Sequence, residues 1–465
     1  MQWSVSSEQL GHLKGLAILR KGKGTHYQNT QRRNAVETKL NLITKKAKES
    51  KELKFNNILH MLKERNLAEC FKELKRGKAV GVDGVSLEEY EKELDKNLED
   101  LVERMKAWKY KPKPVRRVYI EKGNGKKRPL GIPSVEDKVV QMGIKKILEA
   151  IFEVDFLDFS YGFRPGRSCH QALNRLDKMI MKNRVNYVID ADIRGFFDNI
   201  DHKWLRRCLE ERISDRNFLR LMIRVLKGGV MEEGIYIESE KGTPQGAILS
   251  PILANIYLHY ILDLWIARVV RKECKGYVEI VRYADDFIIC VEREEEAESI
   301  MNGLRERLSK FGLVLSEEKV KVVRFGRKAE KTRGNTFNFL GFTHFNDRTR
   351  RVNYKVGRKT DRKRFRRAVT EMNQWLKKVR NTVKVKEWWK ILISKIRGHL
   401  RYYGISGNML WLKKYMYIVT KLVFKWLNRM SQKRKYNWKS YNEYLSRHPL
   451  PKPRIYFNLY TLYGY

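Results

Sequence analysis

The stretch Val281-Arg282-Tyr283-Ala284-Asp285-Asp286-Phe287-Ile288-Ile289-Cys290 constrains this chain more than any other. Two adjacent carboxylates sit between short β-branched and aromatic runs, which predicts a hairpin with Ala284-Asp285-Asp286 at its turn. Aspartate is a poor strand former, and an unpaired buried carboxylate is very costly. A divalent cation would account for the pair, because hard oxygen donors of this kind suit Mg²⁺ or Mn²⁺. The alternative is a solvent-exposed turn that merely tolerates acids.

A second acidic element, Tyr187-Val188-Ile189-Asp190-Ala191-Asp192-Ile193-Arg194-Gly195-Phe196-Phe197-Asp198-Asn199-Ile200, also runs from an apolar strand into alternating aspartates. Asp192 can meet Asp285 and Asp286 only through the fold. Three carboxylates converging from a strand end and a hairpin turn can hold two Mg²⁺ roughly 3.5–4 Å apart, the arrangement that serves nucleotidyl transfer. Asp190 and Asp198 read more simply as a cap, a turn former or an ion-pair partner. Between these elements, Gly242, Pro244 and Gly246 fix a turn before the apolar helix Ile252–Ile261. Gly246 lets the backbone approach a flat ligand, and Gln245 can hydrogen-bond beside it without adding charge. A plain loop-to-helix transition would look similar.

The ordered blocks RPLGIPS (Arg128–Ser134), SYGFRPGRSCHQAL (Ser160–Leu173), DADIRGFFDNIDH (Asp190–His202), GTPQGAILSPILANIYLH (Gly242–His259), RYADDF (Arg282–Phe287), LSEEK (Leu315–Lys319) and FLGF (Phe339–Phe342) carry a resemblance. Together they resemble the reverse transcriptases encoded by bacterial group II introns, over roughly residues 55 to 345 and more loosely to the C-terminus. The resemblance implies an α+β right-hand polymerase with an antiparallel-sheet palm, helical and hairpin fingers and an α-helical thumb. It implies RNA-templated DNA synthesis, with RNA template, DNA primer or target and dNTPs as partners, and binding of intron RNA in splicing. Asp192, Asp285 and Asp286 are then the catalytic carboxylates, and two Mg²⁺ (Mn²⁺ as a substitute) would be held by Asp192, Ile193, Asp285 and Asp286.

The same resemblance places Arg128 on the incoming triphosphate, assisted by Lys122 or Lys126, with Gln245 and Gly246 beside the nucleotide. For the two lysines a solvated charged turn is the competing reading. Phe197 resembles the aromatic that stacks under the nucleotide sugar, where a ring would clash with a 2′-hydroxyl; core packing is its alternative. Ala247 stands where a second glycine is common in the family. The CxxC or His-Asn-His clusters of the family's endonuclease do not occur, so a compact type without target-strand cleavage is expected. A free-standing descendant used in DNA repair or phage defence, or a splicing cofactor with a vestigial polymerase site, would share these blocks.

Composition agrees independently. Lys and Arg number 98 against 54 Asp and Glu, a net charge of +44, which calls for a polyanionic partner, nucleic acid or an acidic membrane. No apolar run approaches the roughly 18 residues of a membrane span, so nucleic acid is expected. The N-terminus lacks a signal-peptide pattern. The five scattered cysteines include no CxxC pair, which fits a reducing bacterial cytoplasm.

Along the chain, a basic extension (1–75) precedes fingers and palm (76–348), a thumb (349–430) and a basic-aromatic nucleic-acid-binding tail (431–465). A helix is expected over 86–107, strands over 113–120 and 127–132, and an N-cap at Ser168. Arg164 and Arg167 could contact template phosphates, while His170 reads as structural. The run Gly357–Arg367 is expected to open a helix towards Val379, with Arg358, Lys359, Arg362, Lys363, Arg366 and Arg367 on nucleic-acid phosphates. Two more helices follow, around 384–402 and 408–430, their tryptophans mostly core.

Overall fold

A computed structural model of the chain describes residues 38–121, 127–329, 335–349, 351–430 and 436–459. Four helices open it: α1 (38–49), α2 (Glu64–Lys72), α3 (Leu87–Lys92) and α4 (Leu94–Lys106). The helix expected over 86–107 is two helices, because Glu93 (φ −121°, ψ 38°) leaves helical geometry between them. Ser86 and Glu89 form a reciprocal capping box at its start. Strands β1 (Val115–Glu121) and β2 (Lys127–Ile132) then pair antiparallel, followed by α5 (Val135–Phe152) and α6 (Cys169–Lys182). Ser168 caps α6 through Gln171, as its sequence predicts.

After β3 (Tyr187–Asp192) come α7 (His202–Glu210), α8 (Arg216–Leu226) and the short hairpin β4 (Val230–Glu232) and β5 (Ile235–Ile237). Helix α9 (Ser250–Leu258) continues through two π-helical turns, His259–Asp263 and Ile266–Val270, into α10 (Arg271–Glu273). Strands β6 (Val278–Tyr283) and β7 (Asp286–Val291), α11 (Glu294–Lys310) and β8 (Lys321–Arg324) follow. Strands β9 (Thr336–Phe339), β10 (Phe342–Arg348) and β11 (Tyr354–Thr360) precede the helices α12 (Arg362–Val379), α13 (Val385–Tyr403), α14 (Met409–Leu427) and α15 (Trp438–Arg447).

The strands form sheets of order β2-β1-β4-β5, β6-β7-β3-β8 and β11-β10-β9. The β6-β7-β3-β8 sheet separates two cores, and strand alternation decides which residue enters which. Ile189, Ala191, Phe287 and Ile289 pack with the N-terminal helices, α9 and α11. Val188, Val281, Ile288 and Cys290 face the other way, onto α6 and the C-terminal helices. Burial on both faces explains why these strands read as continuous apolar runs. The first core also takes in Ala47, Leu62, Leu67 and Phe71, which lie within the expected N-terminal extension.

Two expectations are corrected. The basic run does not open a helix at Gly357: β11 continues to Thr360, and α12 starts only after Asp361, whose side chain accepts from the Arg364 N–H. An apolar helical run of membrane-spanning length does exist, Ser250–Glu273. It is a helix of the first core, with 67% of its most apolar window buried in protein.

Candidate active site

The acidic hairpin forms as expected, with a tighter turn. Tyr283 pairs with Asp286, so Ala284 and Asp285 alone make the turn and Asp286 opens β7. Ala284 takes the left-handed conformation (φ 60°) that a two-residue hairpin demands. Asp192, the last residue of β3, stands directly opposite Asp286 in the β3–β7 ladder. The three carboxylates singled out in the sequence therefore meet at one end of one sheet. Asp190 lies two residues back on the same face of β3.

Burial sets the electrostatics. Asp285 is 5% exposed, and its Oδ1 has no hydrogen-bond partner. Its pKa is pushed up to about 6, first by burial and then by the charge of Asp192, with Arg128 acting in the opposite sense. Burial, then Asp190, Asp285 and Asp192, push Asp286 well above the ordinary carboxylate range. Asp190 rises to about 7, chiefly through burial. The nearby cations Arg128, Lys321 and Arg364 oppose these rises without cancelling them. Lys319 of the LSEEK block ion-pairs through Nζ with Asp192 Oδ2. The Ser316 N–H donates to the Asp192 carbonyl at 2.8 Å, tying that loop to the strand end.

Among the described residues no three acidic, histidine or cysteine side chains already stand at metal-ligating distance. The donor chemistry nonetheless fits Mg²⁺. All three side chains offer hard oxygens, one oxygen is buried without a partner, and the carboxylates raise one another's proton affinity. That is the response of a cluster whose counter-cation is supplied from outside.

Beside the carboxylates, Arg128 Nε donates to Gln245 Oε1 at 2.8 Å, and Gln245 Nε2 donates to Asp198 Oδ2 at 3.2 Å. A main-chain bond from the Gly131 N–H to the Gln245 carbonyl, 2.7 Å, joins β2 to the same loop. Gly246 has φ +104°, and a Cβ there would stand 3.0 Å from the Gly131 carbonyl oxygen. The glycine is required by this close approach of two backbones. Phe197 is 9% exposed, packs edge-to-face on Phe196 and accepts from the Thr243 N–H through its carbonyl. Lys122 and Lys126 lie outside the described residues.

The expected nucleic-acid contacts divide. Arg164 is buried: its guanidinium bonds the carbonyls of Leu157 and Ser160 and pairs with Glu153. Arg358 is 1% exposed and ion-pairs with Asp177 of α6. Both are corrected from nucleic-acid contacts to internal ties, because their cationic heads are withdrawn from solvent. Arg167 lies over the Tyr161 ring and pairs with Asp158. Lys359 is half-buried over Phe345. Arg362, Lys363 and Arg366 are exposed on the first turns of α12, and Arg367 bonds Glu371. His170 stacks on Phe457 and bonds the Tyr402 carbonyl, a structural role as expected. Trp388, Trp389 and Trp426 are core.

Sequence reasoning gave Lys319, Asp190 and Asp198 no part in the site. The LSEEK block was visible, but nothing in its spacing shows that Lys319 reaches Asp192.

The "Protein YkfC" of Escherichia coli is 31% identical over 332 residues, 64% of this chain and 84% of that protein. The reverse transcriptase (RNA-dependent DNA polymerase) family matches residues 120–344, which contain Asp190, Asp192, Asp198, Asp285 and Asp286. The chain belongs to the reverse transcriptase family. Its relatives place it with the group II intron type. The group II intron-encoded protein LtrA of Lactococcus lactis is 44% identical over 179 residues, 38% of this chain and 29% of that protein. An uncharacterized 91 kDa protein in a cob intron of Schizosaccharomyces pombe is 41% identical over 182 residues, 39% of this chain and 21% of that protein. The chain thus spans less than a third of the length of either intron-named relative. The mixed helix-and-sheet architecture is that of a polymerase, and its activity is RNA-directed DNA synthesis.

Proposed function

We propose that this reverse transcriptase copies RNA into DNA by two-metal nucleotidyl transfer at Asp192, Asp285 and Asp286, with the Ile193 main chain completing the ligand set. The observation that carries the proposal is the pairing of Asp192 with Asp286 beside the orphaned Oδ1 of Asp285. Two Mg²⁺ bound there, or Mn²⁺ in their place, would activate a primer 3′-hydroxyl and stabilise the departing pyrophosphate. Arg128 sets a guanidinium towards the triphosphate and keeps its orientation through Gln245, which Asp198 holds in turn. Gly246 keeps the loop backbone close to the nucleotide, and Phe197 sets the space below the sugar. Lys122 and Lys126 supply further charge to the triphosphate.

In this reading residues 1–75 are a basic N-terminal extension, 76–348 fingers and palm, 349–430 the thumb and 431–465 a basic-aromatic nucleic-acid-binding region. RNA template, DNA primer and dNTPs are the substrates, in the bacterial cytoplasm. The net charge of +44 also suits binding of an intron RNA to promote its splicing and retrohoming.

Primer extension on an RNA template tests the site. Asp285→Asn or Asp192→Asn keeps side-chain size and removes ligand charge. Extension should fall by on the order of 10³-fold or more while RNA binding changes little. Near wild-type extension by either variant would overturn the assignment.

A further inference from the structure

The turn that presents Asp285 is held from behind by a buried polar network which the chemistry above does not use. We propose that Arg282 is a positioning residue that fixes the catalytic turn through the main-chain carbonyl of Ala284. The inference rests on Asp285 acting at the active site, as proposed above.

Arg282 is 0% exposed. Its Nε donates to Asp263 Oδ1 at 2.7 Å and its Nη2 to Asp263 Oδ2, a bidentate pair between two fully buried side chains. Nη1 reaches in two other directions, to Asn255 Oδ1 at 3.1 Å and to the Ala284 carbonyl at 3.0 Å. That carbonyl belongs to the left-handed residue immediately before Asp285. Asn255 in turn donates through Nδ2 to the Gly162 carbonyl at 2.8 Å. A Cβ at Gly162 would lie 2.2 Å from the Ala284 nitrogen, so the turn rests directly on the Gly162 backbone. The main chain of Arg282 is pinned as well: its N–H donates to the Phe159 carbonyl at 2.8 Å, and its carbonyl accepts from the Tyr161 N–H at 2.9 Å.

A buried ion pair is by itself weak grounds for stability, since desolvation offsets the attraction. This pair stands out because its third arm ends on the backbone of the turn. Helix geometry gives a second, independent sign. Asn255 and Asp263 are eight residues apart, which in a regular helix of 100° per residue leaves them about 80° out of line. The π-helical turn His259–Asp263 absorbs an extra residue. The effective separation is then seven residues, and the misalignment shrinks to about 20°. The bulge brings both side chains onto the face that meets Arg282. A π-helical segment, a left-handed turn residue and a buried charge pair thus serve one contact, the hold on Ala284.

Positioning makes a distinct kinetic prediction. A small displacement of Asp285 costs catalysis without changing how substrates bind, whereas loss of folding affects everything. Replacing Arg282 alone would leave Asp263 charged and buried. The informative variant is therefore Arg282→Met with Asp263→Leu, an apolar pair of similar volume that removes the charges together and frees Ala284. With an RNA template annealed to a DNA primer, kcat should fall by about 10²-fold, with dNTP KM and template–primer affinity held within about twofold. The thermal midpoint should stay close to that of the wild type.

Wild-type kcat in this folded variant would overturn the proposal. So would a drop in kcat that is matched by weaker affinity and a lowered midpoint, which marks a purely structural role. If the double variant does not fold, Arg282→Lys decides. It keeps the ion pair but cannot reach Asp263, Asn255 and Ala284 at once; measured well below its midpoint it should lose kcat and not affinity, and an unchanged kcat overturns the proposal. Asp285→Asn, run alongside, separates the two inferences. If it retains wild-type extension, the reading of the site fails; if it is inactive while the Arg282 variants are fully active, only the positioning role fails.

Discussion

Asp192 and Asp286 face each other across the β3–β7 ladder, and neither has a register partner that could neutralise it. Directly opposed like charges destabilise an antiparallel pair. The chain tolerates them at the sheet end, where Lys319 reaches Asp192 and burial shifts Asp286 towards its neutral form. The strand end is therefore less stable in isolation than its apolar flanks would make it, and its stability should respond to pH.

Asp190 tests that response. Its pKa rises from 3.8 to about 7, so between these values the folded state keeps a proton that the unfolded chain has lost. The folded state therefore loses stability as pH rises through that window, and the full penalty is present above it. In EDTA, Asp190→Asn should stabilise the protein by on the order of 1–3 kcal/mol at pH 8 and by much less near pH 4. Urea unfolding at the two pH values checks this, and an equal effect at both would refute it.

Phe197 separates a steric gate from plain core packing. Phe197→Val opens space below the sugar, and the ratio of ribonucleotide to deoxynucleotide incorporation should rise about tenfold or more. The measurement is a selectivity ratio from kcat/KM for each nucleotide. A folded variant with unchanged selectivity would eliminate the gate, and an unfolded one would favour the packing role.

The exposed cations at the start of α12 predict salt-dependent binding. Neutralising Arg362, Lys363 and Arg366 together should weaken template binding across unrelated sequences. The slope of log affinity against log salt should fall by roughly 0.7–0.9 for each phosphate that the variant no longer neutralises. Processivity should suffer more than single-nucleotide addition. Filter binding at several salt concentrations decides; an unchanged slope would mean a merely solvated helix face.

Arg358 should behave in the opposite way, although it belongs to the same basic run. Arg358→Met leaves Asp177 buried without its partner, at a cost of about 3–5 kcal/mol in stability. The salt slope of nucleic-acid binding should not change. Pairing the change with Asp177→Leu should restore most of the stability, as thermal melts of the single and double variants would show.

Local chemistry made much of the protein readable in advance. Adjacent carboxylates between β-branched runs fixed the hairpin, and the N-cap residue Ser168 fixed the start of α6. These signals are legible because each depends on neighbours a few residues away. The basic run 357–367 misled for the complementary reason. Charge along a sequence does not reveal which side chains turn inward, and strand alternation on β11 buries Arg358 while α12 exposes Arg362 and Arg366. Arg164 was misread in the same way. The meeting of Asp192 with Asp286, the reach of Lys319 and the hold of Arg282 on Ala284 depend on segments far apart in the chain. Sequence alone determined the family blocks and the three aspartates to which the proposed chemistry is assigned. Only tertiary packing decided which charges were withdrawn from water and which were left to act, because burial and pairing depend on what the fold brings alongside.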